Sequence, residues 1–160
     1  MKGGGTSMDV TVNQILAKKG RDVCTVDVGC CLYDCAQIMR DNGVGSLVVM
    51  SNNSVVGILH ERDISRVGVA SKMDLDMTSV REIMLDNFAV VSLQTTAVQA
   101  MIIISRTRVR HLPVIEKNKL VGIISIGDLN QWILELQQED INHLINYIHG
   151  DSGVCLNNTP

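Results

Sequence analysis

Ser125 and Asp128 stand three residues apart, and His60 and Asp63 repeat that spacing earlier in the chain. An ionised Asp can accept two charge-assisted hydrogen bonds, so it suits a pair of vicinal sugar hydroxyls. Ser125 can reach a phosphate or sugar oxygen from the same turn. A helix starting near Asp128 would present unpaired N–H groups and a positive dipole end to an anion. Arg110 and His111 are candidate phosphate partners beside Asp128, and Arg62 and Arg66 are candidates beside Asp63. The S-x-x-[DE] pattern is equally a helix N-cap, in which the two side chains satisfy local backbone and bind nothing else. Read alone, the spacing favours the cap, and the two roles need not exclude each other.

Other reactive residues point less clearly to chemistry. The five cysteines are Cys24, Cys30, Cys31, Cys35 and Cys155, an odd number with no paired C-x-x-C spacing. Reduced thiols used as small packing groups are the favoured reading, ahead of a metal or a disulfide framework. Cys30 and Cys31 precede an expected helix start, where the dipole can lower a thiol pKa, so they are candidates for oxidation. His143 and His149 have no carboxylate partner at a metal spacing. No G-x-S-x-G elbow, Walker loop or H-E-x-x-H occurs, so neither catalytic residues nor a metal is expected.

Hydrophobic residues make up 46% of the 160 positions and aromatics only 2%, so the core must be built from Val, Ile, Leu and Met. A net charge of −3 gives no reason to expect nucleic acid or an acidic membrane as partner. The run Arg106 to Arg110 reads as a solvated face. The longest apolar runs, Leu47 to Met50 and Ala100 to Ile104, fall far short of a membrane span. Met1 to Ser7 lacks the apolar stretch of a secretory signal, so a flexible leader over 1–10 and a cytoplasmic location are expected.

The elements that must position these residues occur twice. At a shift of 65, Val23 to Ile64 lies over Phe88 to Leu129 without a gap. Val56-Gly57-Ile58 falls on Val121-Gly122-Ile123, and Asp63-Ile64 on Asp128-Leu129. The leading segments, Val12 to Leu16 and Val80 to Met84, match at a shift of 68. The first copy predicts a strand over Cys24 to Val28, a helix over Leu32 to Asn42 stopped by Gly43, strands over Leu47 to Met50 and Val55 to Leu59, and a helix from Arg62 onward. The second predicts a strand over Val90 to Leu93, a helix over Ala97 to Arg106, strands over Leu112 to Ile115 and Leu120 to Ser125, and a helix from near Asp128. That last helix places Trp132, Ile133 and Leu136 on one stripe. Ile141, Leu144, Ile145 and Ile148 then recur at helical steps in a separate amphipathic helix over 138–150, before a loose tail over 151–160.

A β-α-β-β-α unit present twice resembles the CBS-domain pair. The motifs that carry the resemblance are Gly57-Ile58-Leu59-His60-Glu61-Arg62-Asp63-Ile64, Gly122-Ile123-Ile124-Ser125-Ile126-Gly127-Asp128-Leu129, and Arg110-His111-Leu112-Pro113-Val114. The resemblance covers about Val12 to Gly150. It implies an α/β (α+β) fold of tandem repeats packed through their sheets, with the copies at 11–70 and 78–137. It also implies a non-catalytic module whose clefts bind AMP, ADP or ATP, with S-adenosylmethionine or NAD less favoured. A homodimer read by an unidentified protein effector is expected too. Within that frame Asp128 would grip a ribose, and Val90, Val109, Leu112 and Pro113 would form the purine slot. His60 departs from the family's usual Ser or Thr, so the Ser125–Asp128 cleft is the better site and the Asp63 cleft the weaker. The alternatives are a ligand-free dimerisation module and, behind it, a switch based on Cys30 or Cys31.

Overall fold

The computed structural model describes residues 10–150. The expected leader and tail, with Cys155, lie outside the described residues, apart from Val10. In chain order the elements are α1 (Val12–Lys19), β1 (Thr25–Asp27), α2 (Leu32–Asn42), β2 (Ser46–Ser51), β3 (Ser54–His60), α3 (Glu61–Asp63), α4 (Ala97–Thr107), β4 (His111–Glu116), β5 (Lys119–Ser125) and α5 (Ile126–Gly150).

Local signals account for most of these boundaries. Thr11 and Gln14 form a capping box at the start of α1, with the Thr11 N–H donating to Gln14 Oε1 at 2.8 Å. Helix α2 ends where Gly43 turns left-handed at φ 63° and returns its N–H to the last carbonyls. Each hairpin turns on two residues of positive φ, Asn52 and Asn53 in the first and Lys117 and Asn118 in the second. Both hairpins carry an irregularity at the equivalent step, Val49/Met50 and Val114/Ile115. The duplication therefore extends to register.

Three expected elements take a different form. The Val90 to Leu93 strand reduces to a single bridge from Val91 to Val114. Side chains take the amides that would extend it: Ser92 N–H donates to Thr95 Oγ1 at 3.1 Å and Leu93 N–H to Glu116 Oε2 at 3.4 Å. The helix after Asp63 passes at once into a π-helix, Ile64–Val69, which keeps Ile64 and Gly68 buried. The separate helix over 138–150 is the continuation of α5, since no Gly or Pro interrupts the chain between Gly127 and Gly150.

Strand β1 runs parallel to β2, and β2 antiparallel to β3; β4 and β5 form the second, antiparallel sheet. The leading segments are exchanged between the copies. Val12, Ile15 and Leu16 of α1 share a core with Ala97, Ile104, Leu112, Val114 and Ile124 of the second copy. Val80, with Ile83 and Met84 against it, belongs to the first-copy core of Leu32, Met39, Leu47, Val49 and Leu59. Backbone bonds tie both exchanges down: Val12 N–H to Thr95 O at 2.8 Å, and Leu85 N–H to Ile58 O at 2.8 Å. Alternation along each strand leaves a second face. Val48, Ile58 and His60 point away from the first core, and His111 and Pro113 away from the second. Val48 and Ile58 are fully buried yet belong to neither core, and β3 approaches β5. The two sheets meet through these second faces.

Candidate functional site

The end of each hairpin delivers a residue that caps the next helix. At the end of β5, Ser125 donates from its backbone N–H and its hydroxyl to Asp128 Oδ2, at 2.6 and 2.7 Å, and Asp128 N–H donates back to Ser125 Oγ at 3.2 Å. The capping role is thus realised in full. Lys19, the last residue of α1, adds its ammonium to the same oxygen at 2.5 Å. Among the described residues no hydrogen bond engages Oδ1. Burial opposes the charge on Asp128, but the hydrogen bonds from Lys19 and Ser125 outweigh it and hold the carboxyl below its ordinary range.

His60 fills the equivalent place at the end of β3. Its backbone N–H donates to Asp63 Oδ2 at 3.3 Å, and its Nδ1 lies 3.1 Å from that oxygen. Arg62 Nε lies 3.8 Å from Asp63 Oδ1. The His60 ring is buried and faces His111 across the junction, with centroids 5.3 Å apart and planes tilted by 36°. His60 Nε2 and His111 Nδ1 are both buried and lack a hydrogen-bond partner. Burial lowers the His60 pKa, with Asp63 only partly offsetting it. Burial likewise pushes His111 down to about 4, helped by His60, Lys19 and Arg110 and opposed by Asp128.

A cleft of about 470 Å³ opens beside Asp128 and Lys19. Val10, Ile15, Trp132 and Leu136 give it apolar walls, and Lys18 and Glu135 form an ion pair at 2.6 Å on its rim. The purine slot expected from Val90, Val109, Leu112 and Pro113 does not take this form. Val109 and Leu112 are buried in the second core, Pro113 is buried on the opposite face of β4, and Val90 is exposed. None of the four lines the cleft. Arg110 and Arg66 are exposed, while Arg62 is partly buried. A second cleft of about 540 Å³ lies between α2 and α3, lined by Met39, Arg40, Gly45, Glu61, Ile64 and neighbours, without Asp63. Lys19 and Trp132 were not among the expected site residues. Lys19 reaches Asp128 from a distant segment, which no local spacing signals, whereas Trp132 follows Asp128 by four residues on α5, a helical spacing that the sequence does show.

Burial makes Cys30 and Cys35 poor nucleophiles. Burial raises the pKa of Cys30, and burial with the neighbouring Cys30 drives Cys35 up to about 12. Cys31 serves as the N-cap of α2, its sulfur accepting from Asp34 N–H at 3.5 Å. Among the described residues no group of three or more potential metal ligands gathers, and no helix is long and apolar enough to cross a membrane.

Comparison with known proteins gives a consistent picture. A family model described as CBS domain matches residues 21–70 and 80–135. A crystal structure of a CBS domain is 38% identical with a TM-score of 0.74, covering 78% of this chain and 97% of that one. A CBS domain protein from Pyrobaculum aerophilum, solved in complex with AMP, is 26% identical with a TM-score of 0.70, covering 81% and 99%. A mitochondrial CBS domain-containing protein of Arabidopsis thaliana is 28% identical over 151 residues, spanning 88% of this chain and 72% of the relative.

Proposed function

The chain belongs to the CBS-domain family, which it matches twice, and from that premise we propose that it is a non-catalytic regulatory module that binds a phosphorylated adenosine nucleotide. One observation carries the reading. Asp128 stands between a cleft with Trp132 and Ile15 on its walls and a basic junction holding Lys19, Arg110 and the two imidazoles. That order matches base, ribose and phosphate. The unengaged Oδ1 suits a ribose hydroxyl, and Lys19 is placed to trade its carboxylate for a phosphate. The AMP complex of the Pyrobaculum relative supports the ligand class. Asp63, already engaged by His60 and Arg62, would hold the weaker site.

A thermal scan tests this with AMP, ADP, ATP, S-adenosylmethionine and NAD. A ligand at a hundredfold over its Kd adds about 2.7 kcal/mol, a shift of several degrees for a chain of this size. The shift should shrink in Asp128→Asn. No response to any of these compounds at millimolar concentration would defeat the reading.

The module also acts as a homodimer in this proposal. Leu134, Ile141 and Ile145 stand exposed on α5 at helical spacing, and a second copy would cover them. Light scattering should give twice the monomer mass, and a monomer at micromolar concentration would count against it.

A further inference from the structure

Resting on the nucleotide reading above, we propose that the His60–His111 junction couples phosphate binding to proton uptake: a phosphorylated adenosine ligand enters together with one proton on His60, and an adenosine compound without phosphate does not. His60 Nδ1 lies 3.1 Å from Asp63 Oδ2, and a carboxylate only accepts, so the proton of the neutral ring sits on Nδ1. Nε2 is then a bare lone pair, buried and without a partner. A phosphate oxygen is also an acceptor and is repelled by it. The contact becomes a hydrogen bond only when Nε2 takes a proton, which leaves the imidazolium between Asp63 on one side and the phosphate on the other.

The surrounding charges explain why that proton is absent without ligand. Arg62 and Asp63 face His60 from α3, and Arg110 faces both rings from the segment before β4. Lys19 at the end of α1 and Asp128 at the start of α5 face His111. Three cations and burial thus oppose a charged ring, against two carboxylates that are already engaged. A phosphate dianion reverses the balance. His111, 5.3 Å away, repels a second imidazolium, so the uptake stops at one proton.

Titration calorimetry of AMP against the full chain at pH 7, in two buffers of different ionisation enthalpy, reads the uptake directly. The expected result approaches one proton, with affinity tightening up to tenfold from pH 8 to pH 7, above the range where the phosphate itself titrates. Adenosine should bind with no uptake, and in His60→Asn the uptake should vanish at whatever affinity remains. AMP binding without uptake, or with the same uptake in His60→Asn, overturns the coupling and leaves the nucleotide reading standing. If no phosphorylated adenosine binds at any pH, both fall. Should the variant fail to fold, the two-buffer comparison on the unaltered chain still decides.

Discussion

Burying an imidazole without a full set of partners makes the fold itself sensitive to pH, independently of any ligand. His60 and His111 both have pKa values below the ordinary 6.5, His111 at about 4. Between those limits the unfolded chain binds more protons than the folded one, so stability rises with pH. The contribution is fully present above pH 6.5 and is lost as pH falls toward the folded value. At pH 5 the His111 shift alone corresponds to about 2 kcal/mol, and partial exposure of the ring reduces that to roughly 1–2 kcal/mol. Asp128 does not obscure this window, because its depressed pKa moves its own losses below pH 4. Urea midpoints measured at pH 7.5 and pH 5 should therefore differ, the lower pH giving the weaker fold. In His111→Asn the difference should narrow. Equal midpoints for the unaltered chain would show that the rings are charged or solvated in the native state.

At the scale of elements, what the sequence reveals is what short stretches decide for themselves. Helix α2 ends at Asn42 because Gly43 follows, and both hairpins are marked by polar turns between apolar runs. The carboxylate positions were legible for the same reason, since Ser125 and Asp128, like His60 and Asp63, fall within one helical turn. Other features depend on partners far along the chain. The strand expected at Val90 to Leu93 fails because Thr95 and Glu116 claim its amides. Leu112 reads equally well as a slot wall or a core residue until α1 arrives to cover its face of the sheet. Lys19 meets Asp128, and His60 meets His111, only after the two copies have assembled. The site was thus half visible: its capping carboxylates and Trp132, one turn beyond Asp128 on α5, are local, while Lys19, Arg110 and the imidazole pair come together only in the tertiary fold.

At the scale of the whole molecule, the exchanged leading segments make the two copies one cooperative unit. The change of shift from 65 to 68 between the leading segments and the rest hints at a different connection, but only packing shows where those segments go. The glycines of the two third-strand positions make the exchange possible. A Cβ at Gly122 would lie 2.5 Å from Leu16 Cδ1, and one at Gly57 would lie 2.6 Å from Met84 Sδ. Each sheet therefore needs a glycine at the point where the other copy's leading segment crosses it. Leu16 is fully buried and has little room to retreat, whereas Met84 is partly exposed and flexible. Gly122→Ala should accordingly cost about 1–3 kcal/mol by overpacking, more than Gly57→Ala. Because the clash is with a single side chain, adding Leu16→Ala to Gly122→Ala should cost less than the sum of the two separate losses. Hydrogen exchange on Leu16→Ala then locates the damage. If α1 belongs to the second copy's core, protection should fall in α4 before it falls in α2, although α2 is the nearer helix in sequence. Equal loss in both, with strictly additive energies in the double variant, would mean that α1 is not the lock between the copies.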